Sequence, residues 1–140
     1  MTWEEIRKIH TWLPPTSDGW HQHKNGGGWV QDTAIVEDSA EVADAALVFG
    51  KARIYDRARI YDRAWVSGEA RVFGEARIYD RARVFGRARV CNEAYIFGEA
   101  RVFGEAQVYD KARVYDVFPV CAGMNRRSWW PRLRRMPCSP

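Results

Sequence analysis

Three histidines and three cysteines are the side chains of this 140-residue chain best suited to metal or nucleophilic chemistry. Their placement argues against both. His21-Gln22-His23 sets two imidazoles one residue apart, without nearby cysteine or acidic ligands, which is a weak zinc pattern. Solvated loop histidines are the expected state of His10, His21 and His23. Cys91, Cys121 and Cys138 form an odd set with no framework spacing, which fits a reducing compartment. The stretch from 30 to 117 has no histidine, no Gly-rich phosphate loop and no assembly of Ser, His and Asp for nucleophilic catalysis. We therefore expect no catalytic residue, no bound metal and no cofactor. The chemistry the chain does repeat is that of arginine beside aromatic rings, which suits recognition through stacking, cation–π contacts and charge.

That chemistry is carried by a strict period. Alanine recurs every six residues from Ala34 to Ala112, and Val or Ile follows two residues after each alanine, from Val36 to Val114, with Val30 leading the series. In a unit such as Ala52-Arg53-Ile54-Tyr55-Asp56-Arg57, side chains alternate. Ala and Ile then face one side and Arg and Tyr the other. Every sixth residue from Gly50 to Asp116 is Gly, Asp or Asn, residues that tolerate the bent backbone of a corner. A hairpin meander would need both turn residues at positive φ. Its second turn position here holds residues such as Arg57, Glu69 and Lys111, which favours a parallel solenoid that turns the same way at each corner.

The run Gly68-Glu69-Ala70-Arg71-Val72-Phe73-Gly74-Glu75-Ala76-Arg77-Ile78-Tyr79 resembles the bacterial hexapeptide-repeat proteins, over about 86 of the 140 residues. The resemblance implies an all-β fold, a left-handed parallel β-helix of about five triangular coils, with three hexads per coil. The opening His23-Lys24-Asn25-Gly26-Gly27-Gly28-Trp29-Val30 is similar to those of short hexapeptide proteins of phages and mobile elements. Many relatives are acyltransferases that use a projecting histidine and a protruding loop, and others are carbonic anhydrases with histidine metal ligands. The coils here have neither histidine nor insertion, so that chemistry does not carry over.

The boundaries are expected at 1–28 for an N-terminal cap, 29–118 for the β-helix and 119–140 for a basic tail. Thr2 and Glu5 form a capping-box pattern, and Trp3, Ile6, Ile9 and Leu13 recur near helical spacing before Pro14-Pro15. This predicts a short helix covering the open first coil. Pro119 is expected to break the ladder. In the tail, Arg126, Arg127, Arg132, Arg134 and Arg135 beside Trp129 and Trp130 suit a flexible end, a cover for the last coil or a contact with an anionic partner.

An 18-residue coil sorts the outward side chains into three faces. One carries Arg53, Arg71 and Arg89 beside Tyr55, Phe73, Cys91 and Tyr109; a second carries Tyr61, Tyr79, Phe97 and Tyr115. The third combines Leu47, Phe49, Trp65, Arg83, Phe85, Arg101 and Phe103, and is the least charged. An exposed apolar stripe of this kind commonly marks an interface, so this face is the expected contact surface.

Charge is uneven along the axis. Residues 1–46 hold three basic and eight acidic side chains, and residues 47–116 hold fourteen and ten. No apolar run approaches the roughly 20 residues of a membrane helix, and nothing resembles a signal peptide. The expectation is a bacterial cytoplasmic protein, or one acting in the host cytoplasm if phage-encoded. Its expected role is a non-catalytic scaffold that binds another protein or itself as a dimer or trimer, for example as a phage-encoded inhibitor of a host machine. An acyltransferase-like protein and a nucleic-acid binder using the arginine ladders and the tail are the alternatives.

Overall fold

The corners of the chain decide its shape. In a computed structural model, which describes residues 1–115 and the strand at 119–120, Gly50, Asp56, Asp62, Gly68, Gly74 and the corner residues after them up to Asp110 all have φ between 56° and 69°. This is the left-handed region that Gly, Asn and Asp enter most readily. Between corners lie two-residue strands, which hydrogen bond to the coil before and the coil after. The first sheet stacks β2 (Trp29–Gln31), β5 (Leu47–Val48), β8 (Trp65–Val66), β11 (Arg83–Val84), β14 (Arg101–Val102) and β17 (Pro119–Val120), with β1 (Trp20–Gln22) antiparallel at its start. The second stacks β3 (Ile35–Val36), β6 (Arg53–Ile54), β9 (Arg71–Val72), β12 (Arg89–Val90) and β15 (Gln107–Val108). The third stacks β4 (Glu41–Val42), β7 (Arg59–Ile60), β10 (Arg77–Ile78), β13 (Tyr95–Ile96) and β16 (Arg113–Val114).

Pairing is parallel and in register by one coil, as in Arg53 with Arg71 and Ile54 with Val72. The result is a three-sided parallel β-solenoid of about five coils. Its interior is the predicted one: both ladders, alanine and Val or Ile, are fully buried from Ala40 to Val108. Asp side chains at the corners tie coils together. Asp56 Oδ2 accepts the N–H of Gly74, and Asp80 Oδ2 that of Gly98, each at 3.0 Å.

The N-terminal segment differs from expectation in what it covers. Helix α1 (Trp3–Ile9) forms, with the capping box complete: Thr2 Oγ1 accepts the Glu5 N–H at 3.2 Å, and Glu5 Oε2 accepts the Thr2 N–H at 2.9 Å. The helix lies along the outer side of the first sheet, where Trp3, Ile6 and Leu13 bury Trp29, Ala45 and Leu47. The open end is met instead by the Gly-rich loop after His23. Gly28 N–H donates to Val42 O at 2.7 Å and Val42 N–H donates to Asn25 O at 3.0 Å, so the loop supplies β4 with the hydrogen bonds of a missing earlier coil. The approach is tight enough to exclude a Cβ at Gly26, which would stand 2.5 Å from Val42 O.

Pro119 does not break the ladder: Pro119–Val120 pairs with Arg101–Val102. At this position in the coils of Trp29, Leu47, Trp65 and Arg83 the N–H donates to the next coil, as Arg83 N–H does to Ala100 O at 2.9 Å. Among the described residues β17 is the last strand of its sheet, a place where proline forfeits no such bond. Arg126, Arg127, Trp129, Trp130, Arg132, Arg134 and Arg135 lie outside the described residues.

Candidate interaction surfaces

Because the strands are in register, like side chains meet on the outside. Tyr55 stacks on Phe73 with centroids 4.9 Å apart and planes parallel within 0°. Tyr61 and Tyr79 stack at 5.0 Å, Tyr79 and Phe97 at 5.3 Å, Phe97 and Tyr115 at 5.3 Å. Phe85 and Phe103 stack at 5.1 Å. Stacking shields the rings. The aromatic ladder is half-buried, and among the described residues the large apolar side chains that remain exposed are Met1, Trp12 and Ile35. Burial raises the pKa of Tyr61 and Tyr79 above the usual phenol value, and that of the half-buried Cys91 thiol likewise, so all three stay protonated near neutrality.

The expected contact face is divided by α1. Leu47 is fully buried beneath the helix, and Phe49 and Trp65 are half-covered by the segment that follows it. Trp12 packs on Phe49 at 5.0 Å and on Trp65 at 5.2 Å. Beyond that cover the face continues with exposed Arg83 and Arg101 beside half-buried Phe85 and Phe103. The Arg83 guanidinium lies 4.2 Å from the centroid of the Trp65 ring. Arg81, Arg83, Glu99 and Arg101 line an adjoining groove of about 400 Å³.

Two of the histidines are not solvated. His10 is 5% exposed, with Nε2 donating to Ala45 O at 2.7 Å and Nδ1 accepting the Trp65 indole N–H at 2.9 Å. The two partners fix the neutral Nε2–H tautomer, and burial pushes its pKa below 6.5. His23 is also buried, with Nε2 2.8 Å from Ala40 O. Only His21 is exposed, paired with Asp32 at 2.7 Å. Nothing in the local sequence marks His10 as a tie between α1 and the solenoid, because its partners lie 35 and 55 residues away.

The arginine rows fall as expected. Arg53, Arg71 and Arg89 are register partners on successive coils, and among the described residues no carboxylate pairs with them. Corner charges do pair, Arg87 Nε with Glu69 Oε2 at 3.5 Å and Arg81 Nη1 with Glu99 Oε1 at 3.8 Å. These pairs are exposed and worth about 0–1 kcal/mol.

Two stretches, 52–68 and 76–92, match the family model described as YdcK Beta solenoid repeat. The match and the stacked coils agree on a β-solenoid repeat fold. The match lies on the coils from β6 to β12. No curated protein and no solved structure matches the chain significantly. Among the described residues of this solenoid, no helix is long and apolar enough to cross a membrane.

Proposed function

We propose that this solenoid is a non-catalytic scaffold that presents ordered Arg–aromatic surfaces to another protein or to a second copy of itself. The observation that carries the reading is the Phe85–Phe103 stack with Arg83 and Arg101, which continues the covered aromatic face past the point where α1 and its following segment stop shielding it. The same sheet is covered at one end by an intramolecular partner, and among the described residues no segment covers Phe85 and Phe103. Interface cores are enriched in such aromatic and arginine side chains. The similarity of the opening segment to those of phage hexapeptide proteins extends the reading to a host protein as target.

Light scattering of the wild type and of the double variant Phe85→Ser, Phe103→Ser tests the self-association part. The expected result is a dimer or trimer for the wild type and a lower state for the variant, with unchanged circular dichroism. A wild-type monomer at high concentration removes self-association. Failure of the double variant to weaken either self-association or a captured partner overturns the face assignment.

The row Arg53, Arg71 and Arg89, which has no carboxylate partner among the described residues, favours a second reading, binding of nucleic acid. It predicts affinity for single-stranded oligonucleotides that falls steeply with salt.

A further inference from the structure

The aromatic column on the second sheet lacks a rung. Tyr55 and Phe73 stack there, and Tyr109 stands two coils beyond Phe73, but the coil between them places Cys91 at this position. The column of Tyr61, Tyr79, Phe97 and Tyr115 runs without interruption at 5.0–5.3 Å. With strands about 4.8 Å apart, Phe73 and Tyr109 stand about 10 Å apart, so one ring between them would lie about 5 Å from each. That is the spacing of the intact column, and a thiol side chain is too short to fill the width of a ring. Among the described residues no ring stacks on Tyr109, nor on Phe73 from the Cys91 side. The break at Ser67 is different, because Trp65 and Trp12 lean on Phe49 there, at 6.2 and 5.0 Å.

The surroundings define what ring would enter. On the corner side, an open cavity of about 510 Å³ is lined by Gly74, Asn92 and Asp110, the residues next after Phe73, Cys91 and Tyr109, and by Glu75, Glu93 and Lys111. On the other side, Arg71 and Arg89 have no carboxylate partner among the described residues and line, with Lys51, Arg53, Glu69 and Arg87, a groove of about 310 Å³. The slot therefore has two aromatic walls, a corner side that carries Glu75 and Glu93, and an opposite flank in which arginines outnumber the single Glu69. We propose that it binds one aromatic side chain of a partner protein, with an acidic residue beside that side chain reaching Arg71 or Arg89. The nature of the occupant rests on the scaffold reading above. The slot itself lies on a different sheet from Phe85 and Phe103, so the two assignments fail separately.

The probe is the peptide acetyl-Glu-fluorotryptophan-Glu-amide, followed by its fluorine NMR signal during titration with the whole protein. Cys91→Phe supplies the missing rung, and each coil of the Tyr61–Tyr115 column already accommodates a ring at the equivalent place. The expected results are binding to wild type and to Cys91→Ala, and at least tenfold weaker binding to Cys91→Phe, which melts at or above the wild-type temperature. Arg89→Gln should weaken the acidic peptide severalfold and leave its Gln-flanked analogue unchanged. Equal binding to Cys91→Phe overturns the slot, as does no binding to the wild type. Binding of AMP in place of the peptide overturns the protein occupant. The Phe85→Ser, Phe103→Ser variant should bind the probe as wild type does, whichever way the contact face is settled.

Discussion

Val72 and Glu75 sit three residues apart and have opposite tolerance for change. Val72 is fully buried between stacked neighbours, while Glu75 lies at a corner open to water. Val72→Asp puts a carboxyl where no partner exists, costing roughly 2–7 kcal/mol even when it takes up a proton. Its melting temperature should fall sharply or the folded state disappear. Glu75→Gln should stay within about 0.5 kcal/mol of wild type, the usual range for a surface change. Equal melting curves for the two variants would show that the interior is assigned wrongly. His10 makes a different prediction at the same scale. Its pKa is lowered in the folded protein, chiefly by burial, so the folded state prefers the neutral ring. The His10 contribution to stability is then complete above pH 6.5 and is lost as pH falls from there towards the folded pKa. Protonation would also set an N–H against the Trp65 indole N–H. Denaturant melts of wild type and His10→Gln across this range should converge as the solution is acidified; parallel curves at every pH would remove the linkage.

At the scale of the single coil, the corner sets the limits. Gly86 has φ +67°, and a Cβ built on it would meet Gly104 N at 2.8 Å. Gly86→Ala thus adds the left-handed penalty of about 1–2 kcal/mol to a backbone collision. A lower melting temperature is expected, with hydrogen exchange rising first in the coils on either side. Asp80 is also left-handed at φ 58°, yet its carboxylate accepts the Gly98 N–H, which recovers part of the cost. Asp80→Ala should therefore destabilise by loss of that bond, about 0.5–1.5 kcal/mol. An unchanged exchange rate at Gly98 in that variant would show that the bond carries no weight.

At the scale of the molecule, one end and one side are specialised. Deleting residues 1–13 would uncover Trp29, Leu47 and Trp65 at once, each large apolar side chain representing roughly 1.5–3 kcal/mol of burial. The expected outcome is aggregation and early exchange in the first coils, with slow exchange retained at Val84, Val90 and Ile96. Uniform loss of protection over all coils would indicate a solenoid that unfolds as one unit. The charge asymmetry along the axis suggests end-to-end stacking as one consequence and ordinary solubility as another. At the N-terminal end the loop Asn25–Gly28 already occupies the hydrogen-bonding groups of β4. Stacking at that strand would first have to displace it.

The period by itself determined the coil, its interior and its corners. Ala and Val or Ile at fixed separations can all be buried only if the chain turns alike every six residues, and Gly, Asp or Asn is what that turn admits. The aromatic columns were legible for the same reason, since an 18-residue coil places identical phases in register. The sequence did not contain what lies far apart in it. That α1 shields one side, that His10 reaches Ala45 and Trp65, and that His23 is buried at Ala40 are contacts over 17 to 55 residues without a repeating signal. Only packing in three dimensions decided which part of the aromatic face stays open, because burial of Leu47 and half-burial of Trp65 depend on a helix whose own sequence does not say where it will dock.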